Sequence, residues 1–341
     1  MLLFLALSLF TFSYICTGLL RRYALKKSII DIPNERSSHS VPTPRGGGAA
    51  IVIVFLAALG LAMPYIASWA ALGLLFSGLV IAMVGFLDDQ GHIAARWRLL
   101  AHFCCALWIL AWMPSLPVFY LFGADYDLGW LGYPLAALYL VWMLNLYNFM
   151  DGIDGIAGVQ AITTCLIGAW LMVQSGQGDI AWLAWFLAAA VAGFLCWNFP
   201  PAKIFMGDAG SGFLGLMIAA LGLYAALGEP PFLWAWMILM GVFVVDATFT
   251  LFRRLLRREA IYEAHRSHAY QYASRRFGAH RPVTLSVLLV NALWLGPWAW
   301  AALKSGIDPA ICLMVAYLPL LVLAWWFKAG QLELAAANGR K

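Results

Sequence analysis

Apolar runs of membrane-spanning length follow one another through almost the whole chain, and the charged residues gather at their ends. Each span of a bilayer needs about 20 apolar residues. Of the 341 residues, 64% are hydrophobic and only 11% charged, against about 25% charged in a soluble globular domain. No soluble fold of this length hides so much apolar surface, so the expected class is all-α, multi-pass and integral to the membrane. Seventeen Trp and thirteen Tyr suit two interfacial aromatic belts.

Turns and charges divide the chain into about eleven expected helices. They cover approximately 1–20, 48–63, 69–87, 99–115, 131–148, 155–173, 180–197, 211–227, 231–251, 283–303 and 309–327. The first run lacks a basic leader and an A-x-A site, and Arg21-Arg22 follow it, so it reads as a retained first helix. Alternating the helices across the membrane puts all but one of the 21 Lys and Arg residues on one side, Lys304 being the exception. The positive-inside rule makes that side cytoplasmic, with the N-terminus outside and the C-terminus inside. The net charge of +5 is therefore a topological signal and gives no reason to expect a nucleic-acid partner. Six cysteines lie in or beside apolar runs without a CxxC, which reads as core thiols. No internal repeat stands out, so a single membrane domain over 1–341 is expected.

Three acidic motifs fall on the basic side. Asp88-Asp89 close one apolar run. Asn148-Phe149-Met150-Asp151-Gly152-Ile153-Asp154-Gly155 closes another. Phe205-Met206-Gly207-Asp208-Ala209-Gly210-Ser211 opens a third. Carboxylates beside hydrocarbon are costly and are retained mainly for function. Singly, each has a plain structural explanation. Asp88-Asp89 and Asp208 suit helix ends, Asp151 and Asp154 suit N-caps, and His265 and His268 suit a solvated loop. Asp246, inside an apolar run, needs a partner such as Arg253 or a proton. Jointly, on one face, the carboxylates suit Mg²⁺, which takes one or two of them plus substrate phosphates. Basic loops around such a cation would hold a polyanion, which points to phosphoryl chemistry on a nucleotide beside a lipid.

The last two motifs, with Asp88-Asp89 before them in order, resemble the polyprenyl-phosphate N-acetylhexosamine-1-phosphate transferases, glycosyltransferase family 4. The likeness runs from about Asp31 to Tyr272. It implies that undecaprenyl phosphate attacks the β-phosphorus of a UDP-N-acetylhexosamine and that UMP leaves. It also implies a site facing the cytoplasm at the bacterial inner membrane, built from 21–47, 88–98, 148–154, 198–210 and 252–282. Asp208 matches the family's Mg²⁺ ligand, for which Mn²⁺ is an alternative. Asp88 matches a carboxylate assigned to deprotonating the lipid phosphate, and Asp89 its partner near the metal. Asn148, Asp151 and Asp154 match the nucleotide pocket, and Asn198 and Phe205 its uracil side. Arg96 or Arg98 matches a basic position facing the diphosphate, and His39 and Arg45 lie in a loop that approaches the phosphates. Members are often dimers, so a homodimer is compatible with the resemblance.

One departure bears on the sugar. Many members carry Arg-x-His-x-His-His after helix nine, where this chain reads Arg266-Ser267-His268-Ala269-Tyr270-Gln271. Arg266 and His268 fit, while Tyr270 and Gln271 replace the histidine pair. The pattern from Glu263 to Gln271 looks most like the subgroup that initiates O-antigen on lipopolysaccharide. That subgroup implies a UDP-N-acetyl-6-deoxyhexosamine, N-acetylfucosamine or N-acetylquinovosamine, with UDP-N-acetylglucosamine as the alternative. A transporter of lipid-linked sugars is the rival class, but it would need repeats and polar sites near the midplane.

Overall fold

The computed structural model describes residues 2–33, 38–39, 41–66, 68–91, 93–259 and 266–331. Glu263 and His265, named above from the sequence, lie outside the described residues. The chain forms an all-α membrane protein. Its helices are α1 Leu2–Lys26, α2 Gly48–Ala62, α3 Ser68–Gly91, α4 Ala95–Trp112, α5 Gly132–Met150, α6 Ile156–Gln174 and α7 Gly178–Asn198. They continue as α8 Asp208–Gly228, α9 Phe232–Leu239, α10 Gly241–Leu256, α11 Ala269–Phe277, α12 His280–Val290, α13 Gly296–Lys304 and α14 Pro309–Trp326. A π-helical turn, Asn291–Leu295, joins α12 to α13 in one span. Two short antiparallel ribbons are added, Ile30–Asp31 with Thr43–Pro44 and Phe119–Leu121 with Ala124–Tyr126.

All eleven expected segments are helical. Among the described residues, nine helices are long and apolar enough to cross a membrane, and α9 with α10 is a tenth bent by 73°. The remaining segment, α4, opens with Arg96 and Arg98 in its first turn. The bend in the ninth segment follows from the side chains of α10. Asp246, Thr250 and Arg254 recur at every fourth residue and are buried, whereas Phe252, Leu255 and Leu256 are exposed. Residues four apart share a helix face, so α10 turns a polar stripe inward and an apolar one outward.

The core is built around α8, which is almost wholly buried and packs against α2, α3, α5, α6, α7 and α9. In contrast, α1 is only 11% buried and presents Leu3, Phe4, Leu7, Phe12 and Leu19 outward, as a lipid-facing helix does. Small residues bring backbones together where membrane helices have no hydrophobic drive to associate. A Cβ on Gly85 of α3 would lie 2.5 Å from the Ala209 nitrogen of α8, and this close approach sets Asp88 and Asp89 beside Asp208. Cys105, Cys165 and Cys312 are buried, while Cys104 and Cys196 are exposed, and all six cysteines are free.

The connections alternate between two ends of the bundle. At one end Phe205 N donates to Pro44 O at 2.8 Å, Asp208 N to Asp89 at 3.1 Å, and Thr284 to Asp154 O at 2.7 Å. At the other, Trp234 donates to Tyr120 O at 2.6 Å, Gly123 N to Asp308 at 3.0 Å, and Lys304 to Ser175 at 2.8 Å. The acidic motifs therefore share one end, as the alternation of helices requires.

Candidate active site

Three helix ends build the centre of this site. Asp89, in the last turn of α3, accepts from the first two backbone N–H groups of α8, Asp208 at 3.1 Å and Ala209 at 3.5 Å. These N–H groups have no partner inside their own helix, and the positive helix terminus favours a carboxylate there. The cap of α8 thus comes from another helix and not from Asp208 itself. Gly207 makes the approach feasible: its φ is +78°, and a Cβ there would lie 2.6 Å from Asp89 Oδ2. One Arg45 nitrogen then bridges the pair, at 2.6 Å from Asp89 Oδ1 and 2.8 Å from Asp208 Oδ1. Burial works against the Arg45 charge, but Asp89 and Asp208 outweigh it and hold its pKa above the ordinary value.

Asp88 points to a second cation. Its Oδ2 pairs with Arg98, and its Oδ1 accepts from Ile93 N at 2.7 Å. Arg98 also lies 3.9 Å from Asp208 Oδ2. Both Asp88 oxygens are occupied, an arrangement suited to placing Arg98. Arg96 is elsewhere: it is exposed and lies over the Trp97 ring at 5.7 Å.

The carboxylates open into a cavity of about 250 Å³, lined among others by His39, Arg45, Asn148, Asp151, Asp154, Phe205 and Asp208. Burial first, and then repulsion from Asp208, push the Asp151 carboxyl well above the usual carboxylate range. Asn148 accepts from Ser211 at 3.0 Å. Asn198 also borders the cavity, but its amide serves the fold, accepting from Gly155 N and donating to Ile204 O, both at 3.0 Å. Asp154 accepts from Ala202 N at 2.9 Å, and the N-cap of α6 is Gly155. Phe205 lines this cavity and an adjoining one of about 570 Å³, and the His39 ring meets it edge-on at 4.8 Å.

The segment after α10 differs from expectation. His268 is 2% exposed and faces Asp246, at 3.3 Å, rather than the cavity. Asp246 also accepts from Ala269 N at 2.9 Å, Tyr270 N at 3.0 Å and Thr250 at 3.1 Å. Its partner is therefore the N-terminus of α11, while Arg253 donates to Ala329 O at 2.9 Å. Arg266 accepts from Arg275 through its carbonyl and lines neither cavity. The residues of this region that do line the carboxylate cavity are Gln271 and His280. Gln271 is held there as its side-chain amide oxygen takes the His268 backbone N–H at 3.2 Å, closing a capping box, while Tyr270 fastens to Phe149 O at 3.0 Å. The sequence marked Gln271 only as a departure from the family pattern and did not mark His280, although the basic stretch from Arg275 to Arg281 before an apolar run was a signal that this helix end meets charge.

The donor set is carboxylate oxygen alone. No three His, Cys, Asp or Glu side chains gather to hold a metal by themselves among the described residues. Two carboxylates plus substrate phosphates suffice for Mg²⁺. Arg45 shows that Asp89 and Asp208 converge on a cation, so the residues present fit such an ion.

Residues 71–226 match the family model described as glycosyl transferase family 4. The chain is 32% identical to a probable undecaprenyl-phosphate N-acetylglucosaminyl 1-phosphate transferase of Bacillus subtilis, over 82% of this chain and 79% of that one. It is 31% identical to a phospho-N-acetylmuramoyl-pentapeptide-transferase of a Synechococcus species, over 92% and 87%. An undecaprenyl-phosphate alpha-N-acetylglucosaminyl 1-phosphate transferase of Salmonella typhi is 27% identical over 94% and 90%.

Proposed function

Since the chain belongs to glycosyl transferase family 4, we propose that it transfers an N-acetylhexosamine 1-phosphate from a UDP-sugar to a polyprenyl phosphate. The observation that carries this reading is the convergence of Asp88, Asp89, Asp151 and Asp208 with Arg45 and Arg98 at one end of the bundle. An oxygen of the lipid phosphate attacks the β-phosphorus of the donor. The bond from that phosphorus to the bridging oxygen breaks, UMP departs with the electron pair, and a lipid-diphospho-sugar remains. Arg45 and Arg98 offer positive charge to the diphosphate as charge shifts to the leaving UMP. Phe205 offers a face to the uracil ring.

Asp208 and Asp89 would hold Mg²⁺, and Mn²⁺ meets the same donors. Bound there, the ion neutralises the diphosphate and polarises the phosphorus under attack. A phosphate monoester has a second pKa of about 6 and is largely dianionic at pH 7, so the acceptor needs little help from a base. Asp88, with both oxygens occupied, places Arg98. The basic residues at this end support a site open to the cytoplasm of the bacterial inner membrane.

The reading extends to the sugar. The Tyr270-Gln271 pair, with Gln271 at the carboxylate cavity, supports a 6-deoxy donor, N-acetylfucosamine or N-acetylquinovosamine, and a role in starting O-antigen on undecaprenyl phosphate. The named relatives favour UDP-N-acetylglucosamine as the second reading. UMP release should be compared for the three donors, with undecaprenyl phosphate and Mg²⁺, with and without EDTA. Lipid-dependent, EDTA-sensitive release from a 6-deoxy donor supports the full reading. Release from UDP-N-acetylglucosamine alone keeps the reaction and overturns the sugar.

A further inference from the structure

Three separate parts of the chain meet at His280, the first residue of α12. Its Nδ1 lies 3.1 Å from Asp154 Oδ1 and 3.3 Å from the Asp154 backbone nitrogen. Its Nε2 lies 2.9 Å from the Ser38 carbonyl oxygen. The ring is 15% exposed and the Asp154 side chain 12%. His280 lines both cavities of the site and so stands at their common boundary.

The donor and acceptor inventory settles what the ring does. A carbonyl oxygen only accepts, so Nε2 bears a hydrogen. In the neutral ring Nδ1 then accepts the Asp154 N–H, and in the protonated ring it donates to the Asp154 carboxylate. Either way the ring joins Asp154 to Ser38. One helical turn on, Thr284 donates to the Asp154 carbonyl at 2.7 Å, so α12 grips this residue twice from one face. Asp154 Oδ2 accepts from Ala202, in the loop that leads to Phe205. Ser38 precedes His39, whose ring packs on Phe205 from the other side.

We infer that His280 is a positioning residue for donor binding. It clasps the 38–39 segment to α12 and thereby holds Asp154 and the His39–Phe205 wall in place for the nucleotide half of the UDP-sugar. The inference rests on the transferase reading given above. It concerns binding and not the bond-breaking step, so the effect belongs in KM and in UMP affinity.

The test measures steady-state UMP release and UMP binding by calorimetry for the purified wild type, H280A and H280Q. Losing one net hydrogen bond's worth of preorganisation predicts a rise of about tenfold in donor KM and UMP Kd for H280A. The same variant should keep kcat within about threefold of wild type. Glutamine can still donate to the Ser38 carbonyl, so H280Q should recover most of the affinity. Unchanged KM and Kd in H280A overturn the inference, as does a fall in kcat at unchanged KM. Should H280A not fold, H280N replaces it: asparagine can reach Asp154 but not Ser38, so its KM should exceed that of H280Q. Wild-type KM in H280N would then refute the clasp. Failure of the transferase reading looks different, because the wild type itself would release no UMP, and the Kd comparison would still judge His280. A wild type that neither released nor bound UMP would sink both.

Discussion

The two ends of the helix bundle hold similar residue types and use them in opposite ways. At the end away from the acidic motifs Asp125, Asp127 and Asp179 are exposed, and Asp308 caps α14 by accepting from Ala310 N at 2.9 Å. The cavity beside the 119–126 ribbon, about 520 Å³, is walled by residues such as Leu116, Phe119, Leu135, Leu223 and Trp234. At the opposite end Asp88, Asp89 and Asp208 turn inward, share two arginines and leave Asp151 without full compensation. A carboxylate that meets water or caps its own helix completes a fold. Carboxylates from different helices that converge against each other's repulsion cost stability and mark chemistry.

Substitutions that remove charge should therefore matter at one end only. The largest effect is expected for Asp208→Asn or Asp89→Asn. Either should cut UMP release by about 10²–10³-fold, the loss typical of a preorganised electrostatic contact, while the protein still inserts and stays monodisperse in detergent. Next comes Phe205→Ala. Base stacking on an aromatic ring contributes about 1–3 kcal/mol, so UMP affinity measured by calorimetry should fall at least fivefold, with kcat much less affected.

Asp246→Ala tests whether α11 belongs to the site. It would strand the buried N–H groups of Ala269 and Tyr270, at a cost of about 1–3 kcal/mol each. A lower melting temperature and a raised donor KM should appear together. A melting shift with unaltered kinetics would detach Gln271 from substrate binding. Asp88→Asn should be milder than loss of a general base, which costs about 10²–10⁴-fold. Its pH–rate profile should keep the acid limb, and disappearance of that limb would restore Asp88 as the base. The smallest effect is expected for Asp308→Asn, at the end away from the acidic motifs, where asparagine still caps a helix: UMP release should equal that of the wild type.

Much of this contrast is legible in the sequence, because hydrocarbon leaves few places for charge. The apolar runs locate the helices, and even 48–63, short and glycine-rich, is the helix Gly48–Ala62 continued by a 3₁₀ turn to Tyr65. Asp88, Asp89, Asp208, Asp151, Asp154, Arg45 and Arg98 announce themselves as charges beside such runs, and the fold brings all seven together. The bend at Met240 is hidden, since the apolar run from Pro231 continues through it and only Gly241 hints at a break. The exchange of His268 for Gln271 is hidden for a different reason. Which face of α11 meets the cavity depends on Asp246, more than twenty residues earlier, capping that helix from across the fold. Arg96 and Arg98 sit two apart on one helix, so at most one can face the carboxylates. Sequence alone does not choose, and the structure selects Arg98.

The most direct test of the central claim compares UMP release by wild type, Asp208→Asn and Asp308→Asn, each purified and supplied with undecaprenyl phosphate, UDP-sugar and Mg²⁺. The account predicts lipid-dependent release by the wild type and by Asp308→Asn, and at least about a hundredfold loss in Asp208→Asn. Normal turnover in Asp208→Asn would contradict it, because the converging carboxylates would then not be the place where the phosphoryl group is transferred.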